Sequence, residues 1–282
     1  MAVARPIAAV TLVLVLVMRV RWAAPAAVSA HLPAVYAHRG ACGGCGFPPG
    51  SLGALDALAS TGACGFDVDI FRTADRHLVV GHPDELQARL KLARSPELLG
   101  LQRLRQLDGG STATVQRYLE RAHARCARAG SDRRVPVLLL EPKGAAARHV
   151  LETIVQVRRI AERASTPRFV GLWLEATAAA AAAGPWLVTL YALKVKHVAP
   201  VGRPLGAADV RVQRAWNGVG PFWRMLTPVF AREARRAGQL LFTWVVDSDE
   251  AARVALGAGA DVVISDDAVG MRARLLALSG SR

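Results

Sequence analysis

The sequence predicts an α/β fold of the (β/α)8 barrel type, with a small helical insertion after its second strand. Three observations carry that expectation. From residue 31 onward, short apolar runs alternate with helical stretches. The length available to them, about 250 residues, is that of an eightfold βα barrel. Several runs end abruptly in charged or imidazole side chains, as parallel strands do where they open onto the carboxyl edge that holds the sites of such folds.

Taken in order, the expected strands are Ala34–Ala37, Gly65–Ile70, Val137–Glu141, Arg168–Leu174, Leu187–Tyr191, Asp209–Val212, Leu240–Val245 and Asp261–Ile264. Several are continuously apolar, which suits parallel strands covered on both faces. Between them, Ser51–Thr61 carries Leu52, Leu55 and Leu58 at a spacing of three, and Ala145–Arg163 and Pro228–Ala237 carry mixed charge on one face. Glu175–Ala183 is an alanine run that reads as helix, closed by Gly184-Pro185. The longest irregular part, between His82 and Val137, is rich in Leu and Arg and is expected to hold a helical excursion over the barrel mouth. No linker interrupts the chain after residue 33, so residues 31–282 read as one domain behind a distinct segment, 1–30.

That segment has Arg5, then the uncharged run Ile7–Met18, then Arg19 and Arg21. The run is short for a membrane span, which needs roughly 20 residues. It suits the apolar region of a secretory signal, and Val28-Ser29-Ala30 offers a cleavage site. An uncleaved anchor lengthened by Val20 and Trp22 is the rival. The expectation is therefore the secretory route, with the protein secreted or membrane-anchored. Four cysteines, Cys42, Cys45, Cys64 and Cys126, allow disulfides there. Cys42-Gly43-Gly44-Cys45 has no second such pair and no histidine cluster beside it. A loop-stapling bridge is expected from it, between the two or from either to Cys64, rather than a zinc site.

With 52% hydrophobic and 21% charged residues the composition excludes a disordered chain. Its net charge of +14 suits a phosphorylated small substrate or an anionic membrane surface, or reflects an arginine-rich composition alone. Nucleic acid is not expected, because no motif interleaves basic and aromatic residues.

Three of the strand ends gather the chemistry. Val35-Tyr36-Ala37 ends in His38-Arg39-Gly40; Phe66-Asp67-Val68-Asp69-Ile70 carries two carboxylates, with His82 following; Leu138-Leu139-Leu140 ends in Glu141-Pro142-Lys143. Asp67 and Asp69 are two apart in a strand, so they share a face. Buried together they repel unless a cation compensates them. With Glu141 they make a donor set for a hard divalent cation, Mg²⁺ or Ca²⁺. The alternative is that either aspartate merely pairs with Arg72 or Arg76. Arg39 and Lys143 supply fixed positive charge of the kind a phosphate needs, and His38 and His82 are imidazoles able to exchange protons near neutral pH. His31, His77, His123, His149 and His197 read as packed or surface residues.

The ordered set Ala37-His38-Arg39-Gly40, Phe66-Asp67-Val68-Asp69, Thr73-Ala74-Asp75, Leu78-Val79-Val80-Gly81-His82 and Leu140-Glu141-Pro142-Lys143 resembles the glycerophosphodiester phosphodiesterase family. Leu226-Thr227-Pro228, Gly238, Thr243-Trp244-Val245-Val246-Asp247 and Gly259-Ala260-Asp261-Val262-Val263-Ile264-Ser265-Asp266 extend the likeness to about residues 34–268, weakest around 176–207. The resemblance implies a TIM barrel that hydrolyses phosphodiesters with one divalent metal and two histidines. It implies metal ligands at Asp67, Asp69 and Glu141, an acid–base pair at His38 and His82, and phosphate contacts at Arg39 and Lys143. The implied substrates are glycerophosphodiesters or lysophospholipids; the Ile7–Met18 run and the +14 charge add a membrane surface as an expected further partner. A phospholipase D-like enzyme of the same barrel group, forming a cyclic phosphate, and a non-catalytic headgroup-binding barrel are the alternatives. The chain departs from the family pattern in three places. Asp67 stands where the family has Glu, Pro49-Gly50-Ser51-Leu52 lacks the acid of a Pro-Glu-Asn-Thr segment, and Pro83 intervenes between His82 and Asp84.

Overall fold

The computed structural model describes residues 32–127, 137–166, 170–175, 190–195 and 218–280. Among them, nine strands form one sheet: β1 (Ala34–Ala37), β2 (Phe66–Arg72), β3 (Leu78–Val80), β4 (Leu138–Pro142), β5 (Val170–Glu175), β6 (Leu190–Val195), β7 (Gly218–Pro221), β8 (Leu240–Thr243) and β9 (Val262–Ser265). The order is β1-β9-β8-β7-β6-β5-β4-β2-β3, and β1 also pairs with β2 through Ala37 and Phe66. Eight parallel strands thus curl round in the manner of a TIM barrel, while β3 is antiparallel and folds back on β2.

The period of two along the strands separates two apolar surfaces. Phe66, Val68, Ile70, Leu138 and Leu140 pack with Leu55, Tyr118 and Ile154 of the helices. Tyr36, Leu139, Trp173, Leu240, Phe242, Val262 and Ile264 form a separate cluster drawn from strands. That second cluster is the interior of the curled sheet. Asp67 is in register with Leu139, and Asp69 with Glu141, so all three acids face inward toward the carboxyl ends of the strands.

The helices are α1 (Leu52–Ser60), α2 (Pro83–Arg89), α3 (Leu101–Leu107), α4 (Val115–Cys126), α5 (Gly144–Arg148), α6 (Val150–Arg163), α7 (Pro228–Arg236), α8 (Asp249–Ala258) and α9 (Ala268–Gly280). Side-chain caps start many of them: the Ser51, Thr114, Thr227 and Ser248 hydroxyls accept from Ala54, Arg117, Phe230 and Ala251 backbone N–H groups. In α4, Val115, Tyr118, Leu119, Ala122 and Cys126 are buried, the spacing of a helix face laid on the sheet.

Several expectations are corrected. The single helix over Ala145–Arg163 is two, broken at His149, whose ψ of 51° leaves the helical region. The antiparallel β3, three residues long, was not among the expected strands. Neither was β7, which reads Gly-Val-Gly-Pro and has little strand propensity. Its glycine is required by packing: a Cβ on Gly220 would lie 2.3 Å from the Trp173 ring. Of the expected helix Glu175–Ala183, Glu175 ends β5 instead, and 176–183 lie outside the described residues, as does the expected strand Asp209–Val212. The expected secretory route and anchor are also withdrawn. No helix among the described residues is long and apolar enough to cross a membrane. The Ile7–Met18 run on which that expectation rested lies outside the described residues, and is itself too short to span one.

The cysteines pair as Cys42–Cys45 and Cys64–Cys126, and none among them is free. The first bridge staples the glycine-rich loop as expected; the second, in place of a link to Cys64 from that loop, ties the entry of β2 to the end of α4. Its partners are 62 residues apart, and a cross-link of that span removes about 4 kcal/mol of chain entropy from the unfolded state. Cys64→Ser should therefore lower unfolding stability by an amount of this order in urea titration, against a loss of less than half as much for Cys42→Ser, whose bridge spans only 3 positions.

Candidate active site

The site is built on the ends of β1, β2 and β4. After β1 the chain makes one tight turn, His38–Gly40, with Arg39 at φ 55° and Gly40 at φ 64°. Gly40 has two reasons to be glycine. Its backbone is left-handed, and a Cβ there would meet the Tyr118 hydroxyl at 2.9 Å and Val68 at 3.1 Å. This close seating throws Arg39 back over the sheet. Arg39 Nε lies 3.6 Å from Asp69 Oδ2, and its guanidinium also pairs with Glu85 of α2.

Asp67, Asp69 and Glu141 are 3%, 5% and 2% exposed. Buried carboxylates are costly unless cations and hydrogen bonds compensate them. Lys143 provides much of that compensation. Its backbone N–H donates to Ile70 O at 2.7 Å, which fixes the residue against β2. Its ammonium lies 3.3 Å from Asp69 Oδ1 and contacts Glu141 Oε1. Arg72 and Arg76, the alternative partners for the aspartates, are engaged elsewhere. They reach Glu152 of α6 at 2.8 and 2.6 Å, and hold its carboxyl below the usual range.

His82 follows β3 and stands at the start of α2, where Pro83 occupies the first helical position. Its Nδ1 is buried without a hydrogen bond. Burial, first of all, pushes its pKa below the ordinary 6.5; Lys143 and Arg39 push the same way, and Asp69 and Asp84 oppose them. The surroundings thus favour the neutral ring. An NMR titration should place its midpoint below 6.5. Because the folded chain then binds this proton more weakly than the unfolded one, stability should fall as pH drops through the unfolded value. Beside the ring is a cavity of about 90 Å³ lined by Gly50, Ser51, Glu85, Arg89 and Thr112.

His38 takes a different partner. Its Nδ1 lies 2.7 Å from Asp266 Oδ1, at the residue after β9. The sequence motif contained Asp266 and Asp247 but gave neither a role, since a strand-end Ser-Asp pair has no signature of its own.

For a divalent cation, the donor chemistry fits: three buried carboxylates face one side, and a positive group is already drawn between two of them. Asp69 Oδ2 is, moreover, buried without a hydrogen bond. As placed, however, no three His, Cys, Asp or Glu side chains among the described residues close round a common point; Asp69 and Glu141 converge on the Lys143 ammonium.

The arrangement brings Arg39, Asp69, Glu141 and Lys143 into contact, sets His82 within their electrostatic field, and places His38 on the residue before Arg39. Asp67 lies one turn of the pleat deeper on the same face.

No protein-family model and no curated protein sequence matches the chain. Solved structures do. A glycerophosphodiester phosphodiesterase from Parabacteroides distasonis superposes with a TM-score of 0.70 at 18% identity, over 88% of this chain and 98% of that one. A Thermotoga maritima glycerophosphodiester phosphodiesterase gives 0.65 at 17%, over 87% and 99%. An Oleispira antarctica phosphodiesterase in complex with the product sn-glycerol-3-phosphate gives 0.65 at 17%, over 86% and 97%. The chain has the fold of these enzymes across almost their whole length.

Proposed function

We propose that the chain is a phosphoric diester hydrolase acting on glycerophosphodiesters or lysophospholipids, with His38 and His82 as its acid–base pair. One observation carries the reading. At the carboxyl edge of a barrel shared with glycerophosphodiester phosphodiesterases, a guanidinium and an ammonium meet on Asp69 with a neutral imidazole in the same field. Two fixed cations above buried acids are a seat for a phosphate: they bind its non-bridging oxygens, and the acids keep them from swinging into solvent. Hydrolysis then needs one imidazole to take the proton of the attacking oxygen and another to give a proton to the departing alkoxide. His82, neutral and buried, suits the first task. His38, on the turn that carries Arg39, suits the second.

Asp67, Asp69 and Glu141 would hold a divalent cation, Mg²⁺ or Ca²⁺. When bound it would supply further positive charge against the phosphate oxygens.

Incubation with glycerophosphocholine should release sn-glycerol-3-phosphate and choline, followed by phosphorus NMR. A cyclic phosphate as the end product would move the chain to the alternative enzyme class. No turnover of any glycerophosphodiester or lysophospholipid, with headgroup binding retained, would leave a binding barrel.

A further inference from the structure

We propose that Asp266, itself fixed by Asp247, is a positioning residue that sets the ring orientation and tautomer of His38; its kinetic part rests on the phosphodiesterase reading above. A carboxylate only accepts hydrogen bonds, so the 2.7 Å contact from Asp266 Oδ1 keeps the proton of a neutral His38 ring on Nδ1. A second proton, taken up when the ring serves as the acid, then sits on Nε2, from which it passes to the departing alkoxide.

Asp266 has a side chain 64% exposed, and a carboxylate so open to water would ordinarily sample several rotamers. Here its frame is held. Asp247 Oδ1 accepts the Asp266 backbone N–H at 2.9 Å and the Ser265 hydroxyl at 2.7 Å. Ser265 is fully buried, its Oγ accepts from Asp267 N–H at 3.1 Å, and it is the register partner of Ala37, the residue before His38. Asp247 is held in turn: Arg274 donates to its carbonyl at 2.6 Å, and the preceding Val246 N–H donates to Ile264 O at 2.8 Å. One line of contacts therefore runs from the segment after β8, through the end of β9, to the end of β1. An exposed ion pair contributes little to stability, so what this line fixes is direction: it aims one imidazole from two neighbouring strand ends.

The test is nitrogen NMR of the full chain labelled at histidine, which reads the tautomer without any substrate. Wild type should show His38 protonated on Nδ1. Asp266→Ala should move the proton toward Nε2, and Asp266→Asn, which keeps an acceptor oxygen, should restore the Nδ1 form. Asp247→Ala should produce the same shift without touching His38. In turnover, Asp266→Ala should lower kcat roughly tenfold with KM changed less than twofold, a fraction of the usual acid–base contribution because the carboxylate is solvated. An unchanged Nδ1 tautomer in Asp266→Ala would overturn the proposal. A tautomer that responds as described in a protein that hydrolyses no phosphodiester would sink the phosphodiesterase reading and support the orientation of His38.

Discussion

His38→Ala and His82→Ala should each lower kcat on a glycerophosphodiester by roughly 10²-fold or more, the scale of losing a positioned acid or base. Neither change should disturb the fold. His82 caps no backbone donor of α2 with its side chain, and His38 spends its ring on a single partner at the surface of the barrel end. The double variant should be far less than multiplicatively worse, because a proton removed at one oxygen is useful only if another is delivered at the second. The two single variants should also differ in kind. A substrate with a good leaving group needs no acid, so it should recover turnover in the variant that lacks the acid and not in the other. Such rescue in His38→Ala alone would fit His82 as the base. Activity that survives both single substitutions would mean that this barrel does not cleave phosphodiesters through these imidazoles.

Asp69→Asn should have the second large effect. The substitution is nearly isosteric, yet it removes the charge on which Arg39 and Lys143 both converge. Each cation then relaxes toward its remaining acid, Glu85 for Arg39 and Glu141 for Lys143, and the seat for the phosphate opens. Losing an electrostatic element of this kind costs about 10²–10³-fold in kcat. Circular dichroism should show the fold intact, since no core side chain is lost. Calorimetric titration with Mg²⁺ and Ca²⁺ should show weaker binding than wild type. Unchanged affinity would take Asp69 out of the ligand set and leave its role as an anchor for the two cations.

The barrel was legible because its signals are local and repeated. Leu138–Leu140 is apolar on both faces and Phe66–Ile70 on one, and the acids that fill the other face of Phe66–Ile70 and follow Leu140 stand where a buried strand has no other use for them. Leu226-Thr227-Pro228 belongs to the likeness in the sequence, and the structure gives it a physical reason: Thr227 caps α7 and Pro228 fills its first position. Gly218–Pro221 was illegible because its stabilisation is tertiary, supplied by the Trp173 ring that covers Gly220. The break at His149 lies within a run of good helix formers, where nothing in the pattern marks it. Among the candidate site residues, those on strand ends were readable from position alone. Asp266 and Glu85 were not, since each matters through a partner more than forty positions away: His38 for the one, Arg39 for the other.

The antiparallel turn-back after β2 has an architectural consequence. Gly81, the residue before His82, donates its N–H to Asp69 O at 2.8 Å; Val80 donates to Ala113 O at 2.9 Å, and Val79 bridges to Thr114. The histidine is thereby moored to the strand that carries the acids, and the chain is moored again where it returns. The stretch between Pro83 and Thr112 adds further ties: Leu99 O accepts from Ala74 N–H at 3.0 Å, Asp75 accepts from Leu101 N–H at 3.1 Å, and Leu86, Leu101 and Leu104 pack on Phe71 and Val79. In engineering terms that stretch is a bracket bolted to the ribbon at several points, and Glu85 within it reaches back to Arg39, so the imidazole keeps its station through many small fixings at once.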